Sequence, residues 1–399
     1  MTTNPTIALL GRRLRLAVIG GGPGSFIGGM HRLAARLDDQ YELVSGVLSS
    51  DPKRAIAAAK EIGFPEDRQY STVSEMLLNE QQRQDGADVI AIMTPNDTHF
   101  SNAMTALEHG FDVICDKPMT NTVEEAQALH QKAIEAQRIF CLTHNYSGYP
   151  MTRQARGMVL AGEVGEIRLV QVEYVQGGKA DESKPDPTSG HRSWTFDPKR
   201  NGLSLILGAI GTHAHHLVRF ITNLEITEVC AEAGAIVPGR KFDDYTGALL
   251  RLNNGARGVF WVTQAAAGVE NCLQIRVSGS KGTLEWCQEI PQRLSFKPLG
   301  APAQTRTPNG PGTLDLSRRA SRIVAGHPEG FPAGFANIYK DAAEAIASRI
   351  AGQEPDPLAL HFPTSADGLA GMLFIDAVIR SNNNNSSWEV VKTVHSDEN

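Results

Sequence analysis

The run Gly20-Gly21-Gly22-Pro23-Gly24-Ser25-Phe26-Ile27-Gly28 constrains this chain more than any other feature. It follows a β-type run, RLAVIG (15–20), and opens a helical stretch. Glycine lets a backbone come close to a pyrophosphate, and a helix N-terminus offers free N–H groups and a partial positive charge. By itself such a run also fits an ordinary tight turn, and its spacing is longer than a plain GxGxxG. The context decides for dinucleotide binding. Four more strand-like runs follow, ELVSGVLS (42–49), ADVIAIMT (87–94), FDVICDK (111–117) and IFCLTHN (139–145), with helical stretches between them. Strand–helix alternation of this kind predicts right-handed crossovers and a doubly wound parallel sheet, a Rossmann domain over residues 1–148. Gly20, Gly22, Gly24, Ser25 and Phe26 are the expected cofactor contacts at the turn.

Ligands of open α/β sheets bind beyond the carboxyl ends of the strands, which marks the other candidates. The second run ends in Ser49-Ser50-Asp51, followed by Lys53 and Arg54. An acidic residue there bonds the ribose 2′-hydroxyl of NAD, whereas small residues with a nearby cation admit the phosphate of NADP. Asp51, before Pro52, is equally placed to cap the next helix. NAD is favoured, NADP stays open, and Ser49, Ser50 and Arg54 are expected contacts. Thr94-Pro95-Asn96 with His99, Asp116-Lys117-Pro118, and Asn145 end the later strands and complete the expected cofactor set. Lys117 could hydrogen-bond a reacting hydroxyl or hold the nicotinamide ribose, or could be a solvated loop lysine.

After Tyr149-Pro150 the pattern changes, and residues 149–399 read as an α+β domain with an open, mostly antiparallel sheet. Asn254-Gly255 sits between two β-runs, a strong hairpin signal, and LQIRVSGSKGTLEW (273–286) looks like a second hairpin. A helix is expected at about 151–161 and two more at about 334–350 and 365–380, while 298–312 reads as loop. WEVVKTV reads as a short terminal strand. Thr212-His213-Ala214-His215-His216 crowds three imidazoles into four residues. Without a Cys or carboxylate at ligand spacing, no metal is expected, and a general base is the better reading. Tyr149, Arg192, Trp194, His213 and His327 are the candidate substrate residues. His144 could be a second acid/base or a satisfied structural histidine.

Composition excludes other classes. Lys and Arg number 38 against 44 Asp and Glu, without a basic block, so nucleic acid is not an expected partner. No apolar run reaches the roughly 18–20 residues of a membrane span. Five widely spaced cysteines with no CxxC read as buried thiols in a reducing, cytoplasmic setting rather than a disulfide frame.

The glycine-rich turn, TPNDTH (94–99), DKP (116–118), IGTH (210–213) and GHPEGF (326–331) together resemble the glucose–fructose oxidoreductase / inositol dehydrogenase / MocA family. The resemblance implies an NAD(P)-dependent oxidoreductase acting on a secondary hydroxyl of a sugar, glycoside or cyclitol, assembled as a homo-oligomer (dimer or tetramer) through its open sheet. By the same resemblance Lys117 contacts the substrate hydroxyl and the nicotinamide ribose, and His213 is the acid/base. The family commonly carries Glu-Lys-Pro where this chain has Asp116-Lys117-Pro118. It also carries a carboxylate four residues before the histidine, where this chain has Ala209. Two further readings follow: a redox-neutral NAD-dependent glycosidase working by transient C3 oxidation, and a non-catalytic dinucleotide- and sugar-binding sensor.

Overall fold

A computed structural model describes residues 4–181 and 200–394. The described residues form two compact units, one drawn from 4–120, 124–145 and 331–368, the other from 121–123, 146–181, 200–330 and 369–394.

In the first unit five parallel strands, β1 (Leu14–Gly20), β2 (Tyr41–Val47), β3 (Val89–Met93), β4 (Asp112–Cys115) and β5 (Phe140–Leu142), lie in the order β2-β1-β3-β4-β5. The strands are Val- and Ile-rich because both faces are covered, and β3 and β4 are buried at every residue. The helix α1 (Pro5–Leu10) precedes β1, and between the strands run α2 (Phe26–Leu37), α3 (Pro52–Ile62), α4 (Val73–Gln82), α5 (His99–Glu108) and α6 (Val123–Glu135). The strand order changes direction at β1 and β3, the topological switch point where such sheets hold ligands.

One departure from the 148/149 boundary concerns the helix Phe331–Ala351, which belongs to the first unit. Phe335, Tyr339, Ala342 and Ile346 join Leu16, Val18, Ala91 and Ile114 in one core. Tyr41 donates its hydroxyl to the Tyr339 carbonyl at 2.8 Å, and Arg349 pairs with the buried Asp112 carboxylate at 2.6 Å. An apolar helix face announces that something covers it but not which unit does so.

The second unit holds a nine-stranded sheet in the order β13-β12-β11-β10-β6-β9-β8-β7-β14. Its strands are β6 (Ile167–Val175), β7 (Ile226–Gly234), β8 (Tyr245–Leu252), β9 (Arg257–Thr263), β10 (Cys272–Gly279), β11 (Gly282–Cys287), β12 (Leu294–Pro298), β13 (Gln304–Arg306) and β14 (Glu389–Val390). Every pairing is antiparallel except β6 with β9. Gly255, at φ 86°, turns the β8–β9 hairpin. The stretch expected as loop at 298–312 contributes the edge strand β13, and the expected terminal strand shrinks to β14. Short edge strands of this kind draw on neighbours that local pattern does not name. The helices α7 (Pro150–Leu160) and α8 (Thr212–Thr222) pack on one face of this sheet. Among the described residues, no helix is long and apolar enough to cross a membrane.

Candidate active site

The glycine-rich turn has the shape its sequence implies. Gly20, Gly21 and Gly24 take φ of 81°, 64° and 82°, a region that disfavours side chains. A Cβ on Gly22 would stand 2.7 Å from the Leu48 carbonyl oxygen, and one on Gly28 only 2.1 Å from that of Gly21. Ser25 caps α2, its Oγ accepting from the Gly28 N–H at 3.2 Å. Phe26 opens α2 with its ring exposed, 6.3 Å from that of Phe331. Elsewhere in this unit Asn145 is buried, and its amide Nδ2 has no hydrogen-bond partner among the described residues. A backbone cradle that any side chain would fill, and a buried donor awaiting an acceptor, both suit a dinucleotide.

At the end of β2, Asp51 turns to its own helix and accepts from the Arg54 N–H at 2.8 Å. Ser49 accepts from the Asp51 N–H at 3.2 Å, and Arg54 is exposed on α3. Asp51 therefore acts here as a cap, the second of the two roles its position allows.

Lys117 follows β4 and is half-buried. Burial lowers its pKa from the ordinary lysine value, with the Asp116 carboxylate acting against that. Asp116 accepts from the Thr143 hydroxyl at 2.8 Å and lies 3.9 Å from His31 Nε2. Burial would raise the pKa of Asp116, but His31, Lys117 and His99 outweigh it and hold the carboxyl well below its usual range. His31 sits fully buried on α2, its Nδ1 2.7 Å from the Tyr339 hydroxyl. His99 is spent on structure: its two ring nitrogens lie 2.8 and 2.9 Å from the carbonyls of Pro118 and Thr94. It thus ties the loop after β3, where Pro95 and Asn96 begin a short 3-10 turn, to the loop after β4. His144 is buried after β5.

In the second unit His213 is buried on α8, immediately after a π-helical turn, Leu207–Gly211, that carries Ala209. Its neighbours in the triplet are packed against rings, His215 on Phe374 at 4.6 Å and His216 on Phe220 at 5.9 Å. His213 instead meets the edge of Tyr146 at 4.8 Å, with Tyr174 at 6.3 Å. The Tyr146 and Tyr174 hydroxyls lie 2.5 Å apart. Tyr174 donates to Asn271 Oδ1 at 2.9 Å, which also accepts from Gln176 Nε2 at 2.6 Å. Burial raises the pKa of Tyr146, Tyr149 and Tyr174, so all three remain neutral hydroxyls near pH 7. Tyr149 stacks on Tyr146 and tilts against Trp286 at 5.6 Å. His327 is exposed, with Nδ1 3.3 Å from the Val324 carbonyl. Arg192 and Trp194 lie outside the described residues.

Reasoning from the sequence missed His31, Thr143 and Tyr339 behind Lys117, and Tyr146, Tyr174 and Asn271 around His213. Tyr146 stood beside two named candidates, and Tyr174 falls on the inward phase of β6. Nothing local marks His31, Tyr339 or Asn271.

The pattern of the oxidoreductase family with an NAD-binding Rossmann fold matches residues 14–144, and that of the GFO/IDH/MocA C-terminal domain matches 152–285. This chain belongs to the GFO/IDH/MocA oxidoreductase family. Residues 14–144, almost all of them in its first unit, are an NAD-binding Rossmann domain. The uncharacterized oxidoreductase YfiI of Bacillus subtilis is 32% identical over 383 residues, 95% of this chain and 97% of that protein. The crystal structure of an oxidoreductase from Sinorhizobium meliloti is 42% identical, with a TM-score of 0.85, over 94% of this chain and 99% of that one. The inositol dehydrogenase homolog of Azotobacter vinelandii, complexed with NADH and myo-inositol, is 30% identical with a TM-score of 0.88. That likeness covers 96% of this chain and 98% of the other.

Proposed function

We propose that this family member reversibly oxidises a secondary hydroxyl of a sugar, glycoside or cyclitol. The backbone of Gly20, Gly22, Gly24 and Ser25 and the α2 N-terminus would hold the pyrophosphate, and Asn145 Nδ2 would find its acceptor on the cofactor. NAD, when bound, supplies the hydride acceptor. Lys117, whose pKa burial has lowered, donates a hydrogen bond to the reacting hydroxyl or the nicotinamide ribose. His213 takes the hydroxyl proton as the C–H bond breaks and returns it in the reverse direction. Asp116, held by Thr143 and facing His31, keeps a negative charge beside the lysine.

The observation that carries this reading is the placement of His213. His213 packs on the ring of Tyr146, whose hydroxyl joins Tyr174 and Asn271 in a connected set of polar groups, while His215 and His216 stack on phenyl rings. The cyclitol bound to the Azotobacter homolog supports the substrate class. The open face of the second sheet exposes Leu169, Leu249, Val259 and Trp261, an apolar patch that suits pairing with a second copy.

The test starts from purified protein: denature it, identify any released nucleotide, then follow reduced-nicotinamide absorbance with NAD and a panel of cyclitols, sugars and glycosides, myo-inositol first. Stoichiometric reduced cofactor with intact glycosidic bonds is expected. Many equivalents of aglycone released from an aryl glycoside per NAD, with no reduced cofactor accumulating, would replace net oxidation by redox-neutral cleavage.

A further inference from the structure

The second sheet brings together two cysteines that sequence spacing keeps apart. β10 and β11 pair antiparallel with Gln274 opposite Cys287. The Gln288 N–H donates to the Leu273 carbonyl at 2.9 Å, extending the ladder and setting Glu289 opposite Cys272. Alternation sends Leu273, Ile275, Leu284 and Trp286 to the buried side and leaves Cys272 and Cys287 on the open face, partly accessible. The two Sγ atoms and a Glu289 carboxylate oxygen lie within 4.8 Å of one another.

We propose that Cys272, Cys287 and Glu289 form a binding site for one thiophilic divalent cation of the zinc class, with a fourth position for water or Glu173. Register favours a cation over a disulfide. Cys272 and Cys287 are diagonal neighbours, and diagonal positions stand about 7–8 Å apart, beyond the roughly 6.8 Å limit of ordinary disulfides. A tetrahedral ion with bonds of about 2.3 Å to sulfur holds two thiolates about 3.8 Å apart, which such a pair can reach. The electrostatics agree. The Glu173 and Glu289 carboxylates both act on the Cys272–Cys287 pair. A cation relieves that crowding of negative and potentially negative groups. Arg276, on the same face, is committed to Glu285 at 2.5 Å and Gln171 at 2.9 Å. Two sulfurs and one carboxylate suit zinc rather than magnesium or calcium, which take oxygen alone. Glu289 is pre-positioned, since Oε1 accepts from the Asn271 N–H at 3.0 Å. The site therefore adjoins the residue that receives the Tyr174 hydroxyl.

The test uses the full chain, reduced, freed of metal with a chelator, and titrated with cadmium as a spectroscopic probe, then with zinc in competition. One saturable thiolate-to-cadmium charge-transfer band per chain is expected, displaced by zinc and lost in Cys272→Ser and in Cys287→Ser. Glu289→Gln should bind more weakly, and Cys230→Ser should bind as the parent does. A second measurement needs no variant: zinc should protect Cys272 and Cys287, but not Cys230, from alkylation read by mass spectrometry. Absence of a saturable band, its survival in the doubly substituted chain, or equal alkylation with and without zinc would each overturn the proposal.

Discussion

The surroundings of Lys117 and of His213 are built by different means. Around Lys117 the parts lie on the loops that leave successive parallel strands, 94–99, 116–118 and 143–145. Parallel topology delivers all strand ends to one edge, so short local motifs suffice to place them. Around His213 the parts come from a 3-10 turn, a strand, a helix and the start of another strand, at Tyr146, Tyr174, His213 and Asn271. Antiparallel register, not chain proximity, gathers them. The first region is a set of motifs on a common rim, and the second is a lattice of single residues. The first should therefore fail residue by residue, and the second as a network.

The largest effects should come from the two titratable groups themselves. Lys117→Ala and His213→Ala should each lower turnover by roughly 10²–10⁴-fold, the scale of a positioned acid/base, with NAD affinity largely kept. Steady-state rates beside fluorescence titration with NADH give both readouts, and near-parental turnover in the His213 variant would move the base elsewhere.

Next comes the element that joins the first unit late in the sequence. Phe335, 1% exposed, sits in the core beneath the glycine-turn helix, so Phe335→Ala should cost about 3–5 kcal/mol. Denaturant unfolding should show that loss in the NADH-protected transition. A loss confined to a transition that NADH does not shift would place the helix with the other unit.

Tyr174→Phe tests the network. It removes the hydroxyl that lies 2.5 Å from that of Tyr146 and donates to Asn271 Oδ1, and taking one partner out of a buried hydrogen-bond set costs about 1–3 kcal/mol. Turnover should fall by about 5–100-fold, since each 1.4 kcal/mol is tenfold, with KM nearly constant. A change in KM alone would show that the tyrosine only lines the substrate.

The smallest effect is expected at Asp51→Ala. As a helix cap the residue contributes about 1 kcal/mol of stability, and its loss should shift the unfolding midpoint while NAD affinity changes little. A large fall in NAD affinity would return Asp51 to the ribose.

Much of the first unit was legible because its signals are local. The glycine run needs backbone freedom at Gly20, Gly21 and Gly24, and Val/Ile runs need burial on both faces, so each segment declares its own conformation. Lys117 and His213 stood out because a titratable group at a strand end or in a histidine cluster is conspicuous wherever it packs. The partners were not legible. His31 reads as one more residue of an amphipathic helix until Tyr339, 308 positions away, closes on its Nδ1. Asn271 reads as a turn residue until β10 sets it beside Tyr174.

The sequence by itself determined the strand–helix alternation, the phosphate-type turn, the hairpin at Asn254-Gly255 and the identity of the titratable groups, because each depends on contacts within a few residues. Only the tertiary structure decided that helix Phe331–Ala351 completes the first core, that His213 packs on the Tyr146 ring while His215 stacks on Phe374, and that Cys272 reaches Cys287. Those outcomes turn on which faces are buried against which and, for Cys272 and Cys287, on strand register, where a slip of one residue would send a side chain to the opposite face.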